Sequence, residues 1–292
     1  MRRAIDSQPI AALLTTIALL SACASSTPTP TPTPAATTAT TATDRVEAAL
    51  ASPAIRAALA PTGALRIAAY AGSPTSLVRR SGSDEVSGMS VDVGRELARR
   101  LGVPARIVEL ERVEQVVEAL RSGQADLTIT NASPARAALV DFTEPPLVAI
   151  ELGYLVMPGS PIAAIDDVDR PGVKVGVSQG SSSQAALAKA YRAATLVPAP
   201  SLRVAGEWLQ ERRIDAFATN KGVLFQLADS LPGARVLDGR WGTESLALAV
   251  PKGRDAGKAW LTDVVTGIRQ DGFVARAAQR AGLRGLASAE SR

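Results

Sequence analysis

The sequence predicts an α/β protein made of two successive strand–helix sets and closed by helices at its C-terminal end. Three observations carry that expectation. Short apolar runs rich in Val, Ile and Ala alternate with stretches of helical spacing from residue 65 onward. The alternation is broken once, by a long strand-like run at residues 148–157 that ends in Pro158-Gly159-Ser160-Pro161, and then resumes. The chain has 292 residues, 46% hydrophobic and 21% charged, which suits one large globular domain or two modest ones.

The N-terminus reads as a targeting segment. Arg2 and Arg3 precede an apolar stretch at residues 10–20 that is too short, with those flanks, to span a membrane. It ends in Leu20-Ser21-Ala22-Cys23, which resembles the bacterial lipobox. That resemblance implies cleavage before Cys23 and lipidation of the new N-terminus, an anchor that does not cross the membrane. The alternative is an ordinary signal peptide that happens to contain the chain's one Cys. Residues 1–22 are therefore assigned to a lipoprotein signal peptide. Residues 23–60 follow as a Thr/Pro/Ala-rich tether with a leader helix, which either packs on the domain or extends the tether.

The folded part begins with Leu65-Arg66-Ile67-Ala68-Ala69-Tyr70, a buried parallel strand in pattern. A loop of small hydroxyl residues, Ser73 to Ser76, lies at its carboxyl end, where open α/β sheets bind ligands. Val91, Leu97 and Leu101 share one helical face that stops at Gly102. Residues 106–110 read as a strand, and Val113, Val116, Val117 and Leu120 as the next helix. Asp126 to Thr130 is again a strand, and it breaks at Asn131-Ala132-Ser133-Pro134. Ser133 suits a helix cap and Pro134 the first helical position, so Arg136 falls in a first turn. A guanidinium beside a helix N-terminus is a place to hold a carboxylate. A solvated surface turn is the competing reading.

The second set opens with Val173 to Val177 and runs into Ser178-Gln179-Gly180-Ser181-Ser182-Ser183 before a helix at residues 185–191. This is a second cluster of hydroxyls at a helix N-terminus, and it lacks the Lys-Ser/Thr of a phosphate-binding P-loop. A strand at 195–199, a helix at 201–212, a strand at 215–219 that delivers Asn220, and a helix at 221–231 follow. After a short strand at 235–237, residues 245–250 alternate as a strand. Helices at 256–270 and 272–281 close the chain.

Composition excludes several chemistries. With no His and one Cys, the chain lacks the Ser-His-Asp and Cys-His nucleophile schemes, the usual zinc ligand sets and any internal disulfide. A formal charge of +4, carried on scattered Arg, does not point to nucleic acid. No cofactor and no metal are expected.

Taken together, the motifs resemble those of the family 3 bacterial solute-binding proteins, periplasmic receptors best known for polar amino acids. The resemblance is carried by Leu65-Arg66-Ile67, Gly88 to Val93, Arg100-Leu101-Gly102 and Ala119 to Asp126. Ser133-Pro134-Ala135-Arg136 with Val140 to Thr143, Gly172 to Val177, Gln179 to Ser182, Ile214-Asp215-Ala216 and Asp271-Gly272-Phe273 continue it. It implies a two-lobed periplasmic-binding-protein fold (type II), with two crossover strands and the ligand in the cleft between the lobes. Residues 148–157 and 245–250 match the crossings. Lobe 1 is then 61–157 with 245–286, lobe 2 is 158–244, and 287–292 is a tail. Closure would be a hinge motion.

The same resemblance assigns roles to residues. Arg136 matches the arginine that clamps the ligand carboxylate, and Asn131 a Ser/Thr position donating to it. Ser182 matches the second-lobe hydroxyl that completes the pocket. Thr130 and Ser183 flank these, and Ser73 falls near the position of the family's aromatic platform, which this chain lacks. Asn220 stands where the family has an Asp that receives the ligand's ammonium. A neutral amide is no substitute for that charge, so position 220 by itself predicts an acid ligand without a free α-ammonium. Asn220 also suits a plain helix cap. Lys221 and Glu151 read as surface charge or hinge pairing.

The expected function is capture of a small polar or anionic solute for the permease of an ABC-type importer. The protein would act as a monomer, lipid-anchored in the periplasm or at the cell surface. A ligand sensor for a membrane partner ranks second. A dehydratase-like enzyme acting on a cyclic carboxylic acid ranks third; it needs a cleft carboxylate of raised pKa, for which Glu151 is the nearest candidate.

Overall fold

The computed structural model of the protein describes residues 51–79 and 84–287. The expected signal segment, Cys23 and the expected Thr-Pro tether lie outside the described residues.

Lobe 1 starts with α1 (Pro53–Leu59), β1 (Leu65–Tyr70), β2 (Val78–Arg79), β3 (Val86–Ser87) and α2 (Met89–Leu101). It continues with β4 (Ala105–Leu110), α3 (Val113–Arg121), β5 (Thr128–Asn131), α4 (Pro134–Ala137) and β6 (Asp141–Phe142). Next, β7 (Val148–Val156) crosses to lobe 2, which holds β8 (Lys174–Ser178), α5 (Ser182–Ala190), β9 (Thr195–Ala199) and α6 (Leu202–Gln210). Lobe 2 ends with β10 (Ala216–Asn220), α7 (Lys221–Ser230) and β11 (Arg235–Val236). Finally β12 (Gly242–Val250) returns, and α8 (Asp255–Gln270) and α9 (Phe273–Arg280) pack on lobe 1.

One path of strands, β5-β12-β7-β10-β8-β9, runs through both lobes. The first halves of β7 and β12 pair antiparallel, with Val148 opposite Leu246 and Leu152 opposite Gly242. Their second halves part: β12 continues along β5 and β7 along β10. The two strands are thus the physical crossing. β12 begins at Gly242, three residues before the strand read from the sequence. Gly242-Thr243-Glu244 has turn composition, and only pairing with β7 makes it a strand.

Each lobe closes its own core. In lobe 1, Ile67, Met89, Leu97, Leu127, Leu248 and Val265 pack together between sheet and helices. In lobe 2 the sheet is buried on both faces. Ala216 and Ala218 of β10 face one cluster with Val175 and Val177, and Phe217 faces the other with Leu209 and Leu224. That period of two is the strand pleat expressed as packing. The leader helix α1 packs on the domain: Leu59 is buried and lies close over Gly257 of α8, and Arg254 donates to the Ala58 carbonyl.

Two features tie distant segments together. Asp126, 1% exposed, accepts from Arg66 Nε and Nη2 at 2.8 Å each and from Arg254 Nη2 at 3.2 Å. It joins β1, the approach to β5 and the lead into α8. Beyond α9, the chain returns to the crossing. The Gly285 carbonyl accepts from the Glu151 N–H at 2.9 Å, and the Ala287 N–H donates to the Ala149 carbonyl at 3.0 Å. Arg284 pairs with Asp229 and stacks on the Phe225 ring, 4.8 Å from its centroid, so this segment touches lobe 2 as well.

Candidate functional site

The lobe 1 wall is built by β5 and the turn that follows. Ser133 caps α4, its Oγ accepting from the Arg136 N–H at 3.4 Å, and Pro134 takes the next position. α4 has only four residues, so it supplies almost no helix dipole, in contrast to the sequence expectation of an anion-binding helix tip there. The guanidinium itself is what this wall offers. Arg136 is 9% exposed and donates to Thr130 Oγ1. Burial draws its pKa below the ordinary value, while Glu244 and Tyr70 act in the opposite direction.

On the lobe 2 wall, Ser181 caps α5 by accepting from the Gln184 N–H at 3.1 Å. The helix starts at Ser182, three residues before the predicted one, because the cap sits inside the serine run. Ser182 and Ser183 therefore occupy its first turn. β10 ends in Asn220, which caps α7: its Oδ1 accepts from the Val223 N–H at 3.1 Å. The other end of the same amide, Nδ2, donates to Glu244 Oε1 at 3.0 Å.

Glu244 is the residue that sequence reasoning missed. It lies on the crossing strand β12, is 8% exposed, and accepts from Ser182 Oγ at 3.2 Å as well as from Asn220. Burial pushes its carboxyl pKa above the ordinary range; Arg136 across the cavity, Asn220 and Ser182 pull the other way. The one signal that could have found it is phase: Glu244 precedes the strand read from Ser245 by one residue and falls on the same side as Leu246 and Leu248.

Arg136, Asn131, Thr130, Ser182, Ser183 and Asn220 all line one cavity between the lobes, together with Glu244, Tyr70 and Thr75. Ser73 does not line it. Ser73 is fully buried and hydrogen-bonds Thr75 at 2.7 Å, so Thr75 presents the hydroxyl in its place. Tyr70, at the end of β1, brings a phenol into the cavity. Burial raises the phenol's pKa, and the Ser73 and Thr75 hydroxyls beside it lower it. Ile129, Leu202, Val223 and Leu246 supply apolar wall.

The cavity measures about 30 Å³, room for a water or two and not for a metabolite. An outer cavity of about 260 Å³ shares Arg136, Ser181 and Ser182 with it and opens between α3 and the start of α5. The lobes touch at its rim: a Cβ on Gly180 would lie 2.3 Å from Glu114 Oε2. Gly180 has φ +69°, so a side chain there is disfavoured by backbone and by contact alike. A solute must separate these walls to enter.

Glu151, the carboxylate considered for an enzyme, is not in the cavity. Its Oε2 accepts from Lys221 Nζ at 2.7 Å and its Oε1 from Arg240 at 2.9 Å. These partners, Lys221 first, hold its pKa below the ordinary carboxylate value. Among the described residues, no group of three or more His, Cys, Asp and Glu is placed to hold a metal ion, and no helix is long and apolar enough to cross a membrane.

The chain is similar to known proteins over most of its length. The chain is 25% identical over 208 residues to the amino-acid-binding protein AabA of Dichelobacter nodosus, covering 69% of this chain and 80% of that one. An amino acid ABC transporter substrate-binding protein from Streptococcus pneumoniae, bound to L-arginine, superposes with a TM-score of 0.70. The identity is 20%, over 80% of this chain and 100% of that one. The ancestral amino acid-binding protein AncCDT-1, a precursor of cyclohexadienyl dehydratase, gives a TM-score of 0.66 at 23% identity, over 75% and 96% of the two chains. These likenesses establish the fold: two α/β lobes of the periplasmic-binding-protein type. The family described as bacterial extracellular solute-binding proteins, family 3, matches residues 65–282, which take in both lobes, both crossing strands and every residue of the cavity. This chain therefore belongs to the family 3 bacterial extracellular solute-binding proteins.

Proposed function

We propose that the protein is a membrane-tethered receptor that captures a small carboxylate-bearing solute by closure of its two lobes and delivers it to an ABC-type importer. The observation that carries this reading is the buried Arg136 guanidinium, held by Thr130 and turned into the cavity between the lobes. A planar two-pronged donor in a water-poor cleft binds a carboxylate well. The first turn of α5, with Ser182 and Ser183, closes on the same cavity from the other lobe. The tether and lipid anchor rest on Cys23 and the segment before it, and would keep the receptor at a membrane as a monomer. Relatives named as amino-acid-binding proteins and ABC transporter components support the transport role.

The test is calorimetry with carboxylic and amino acids on wild type and Arg136→Ala. Truncating a charge that is buried and paired with ligand should weaken binding by about 2–5 kcal/mol. Unchanged affinity in a folded variant would remove Arg136 from the site.

One observation favours a second reading. Glu244, buried and with a raised carboxyl pKa, has the character of a general acid. In a dehydratase-like enzyme the Glu244 proton would leave with a ring hydroxyl of a cyclohexadienyl carboxylic acid as water while the ring carboxylate departs as CO2, its bonding pair completing an aromatic ring that ultraviolet absorbance reads directly. Turnover abolished by Glu244→Gln would replace the transport reading.

A further inference from the structure

We propose that residues 282–287 act as a strap across the outer face of the hinge, a further inter-lobe connection beside the two crossing strands, which holds the lobes closed and so sets how readily the cleft opens. This rests on the reading of capture by lobe closure above; it involves no solute and is independent of the Arg136 clamp.

The strap is anchored to lobe 1, to the hinge and to lobe 2. It leaves lobe 1 at the end of α9, and Leu283, buried, belongs to the lobe 1 core with Ile150 and Val274. It then pairs with the hinge strand. β10 lies along one edge of β7 as far as the pairing of Asn220 with Leu152, while β12 lies along the other. Where β10 ends, the strap takes over its edge. Leu286 bridges antiparallel to Ile150, the Gly285 carbonyl accepts from the Glu151 N–H, and the Ala287 N–H donates to the Ala149 carbonyl. Backbone groups of β7 that would otherwise lack a partner in the sheet are thereby satisfied.

The lobe 2 anchor is one side of α7. Lys221, Phe225 and Asp229 are spaced four residues apart, so they line up along that helix. Arg284 pairs with Asp229 and lies over the Phe225 ring, 4.8 Å from its centroid. Gly285 rests on Lys221: an added Cβ would lie 2.3 Å from the lysine Cβ. Leu283 rests on Gly222, where a Cβ would lie 2.5 Å from Leu283 Cδ1. Only glycine permits approaches this close.

This side of α7 reaches the cleft. The helix cap Asn220 bonds Glu244 in the cavity, and Lys221 bonds Glu151 on the outer face of β7 at 2.7 Å. Opening the cleft carries α7 away with lobe 2. The strap stays with lobe 1 through Leu283 and with β7 through its two backbone bonds. Opening must then break the Arg284 contacts or draw Lys221 from under Gly285. Contacts made in the closed arrangement and lost in the open one bias the equilibrium toward closure.

The experiment measures the distance between spin labels on α3 and α5 in the ligand-free full chain. Arg121→Cys and Lys189→Cys, both at exposed positions, carry the labels, and Cys23→Ser removes the one native thiol. The labelled chain should be mostly closed. Arg284→Ala alters an exposed side chain, so the fold is kept. It should raise the open-to-closed ratio about 3- to 10-fold, the combined scale of an exposed ion pair and a cation–π contact. A chain ending at Leu283 should be mostly open. Arg269→Ala, at an exposed arginine of α8 outside the strap, should change nothing. Gly180→Asn, whose side chain pushes Glu114 from the rim, supplies the open distance. The strap assignment falls if the labelled chain is already mostly open, or if Arg269→Ala shifts it as much as Arg284→Ala. It also falls if both strap variants keep the starting distribution while Gly180→Asn opens the cleft; capture by closure then stands. If Gly180→Asn does not open it either, closure falls too, and the Arg136 clamp is still judged by calorimetry alone.

Discussion

Two glutamates sit one register step apart on the paired crossing strands, and they live in opposite worlds. Glu151 of β7 stands opposite Thr243, and Glu244 of β12 stands opposite Ile150. Side chains alternate across a strand, so that single step sends one carboxylate to the outer face and the other into the cleft. Outside, Glu151 gains two cations, Lys221 and Arg240, and its pKa falls. Inside, Glu244 has amide and hydroxyl donors, a cation only across a gap, and its pKa rises. Residue type did not distinguish them; the face of the hinge did.

Asp126 extends the comparison to a third carboxylate, which is both buried and directly paired with Arg66 and Arg254. It should show the largest effect of the three. Asp126→Ala strands two partly buried guanidinium groups and should destabilise the fold by about 3–5 kcal/mol in denaturant titration. A loss below about 1 kcal/mol would mean that solvent reaches this cluster freely.

Glu244→Gln comes next and should act in the opposite direction. The folded-state pKa of Glu244 lies above its unfolded value. Its contribution is therefore at its best below the unfolded pKa of about 4.3 and is lost as pH rises through the folded value. The neutral isostere escapes that loss, so the variant should melt above wild type at pH 8, with the gain vanishing by pH 4. A variant less stable than wild type at pH 8 would show that the carboxylate is held by more than Asn220 and Ser182.

Glu151→Gln should be the smallest, a loss of about 0.2–1 kcal/mol at neutral pH. Here the pKa is depressed, so the stabilisation is present above the unfolded pKa and fades as pH falls through the folded one. Melting curves of the two glutamine variants across pH should thus diverge in opposite senses. Parallel behaviour would break the contrast between the two faces.

Much of this was legible in the chain. Ser133-Pro134 announced the turn that carries Arg136, since a cap and a proline at the first helical position are local chemistry. The serine run placed Ser182 and Ser183 in a helix start, and Asn220 did cap α7. The misses share a cause. Glu244 was hidden because Gly242-Thr243-Glu244 has turn composition and is a strand only through its pairing with β7. Ser73 and Thr75 exchanged places because which hydroxyl of a short loop faces a cavity depends on the loop's path, which composition does not encode.

By itself, the sequence determined the α/β order, the two sets of strands and helices, and the guanidinium and serines at loop ends. These follow from periodicity and from capping, interactions that reach only a few residues along the chain. Only the tertiary structure decided that those loop ends meet, that the leader helix docks on α8, and that a hinge glutamate supplies the cleft's negative charge. Each of these is a contact between segments far apart in sequence, set by strand register and lobe packing, and a one-residue change of register would have turned Glu244 to the outside.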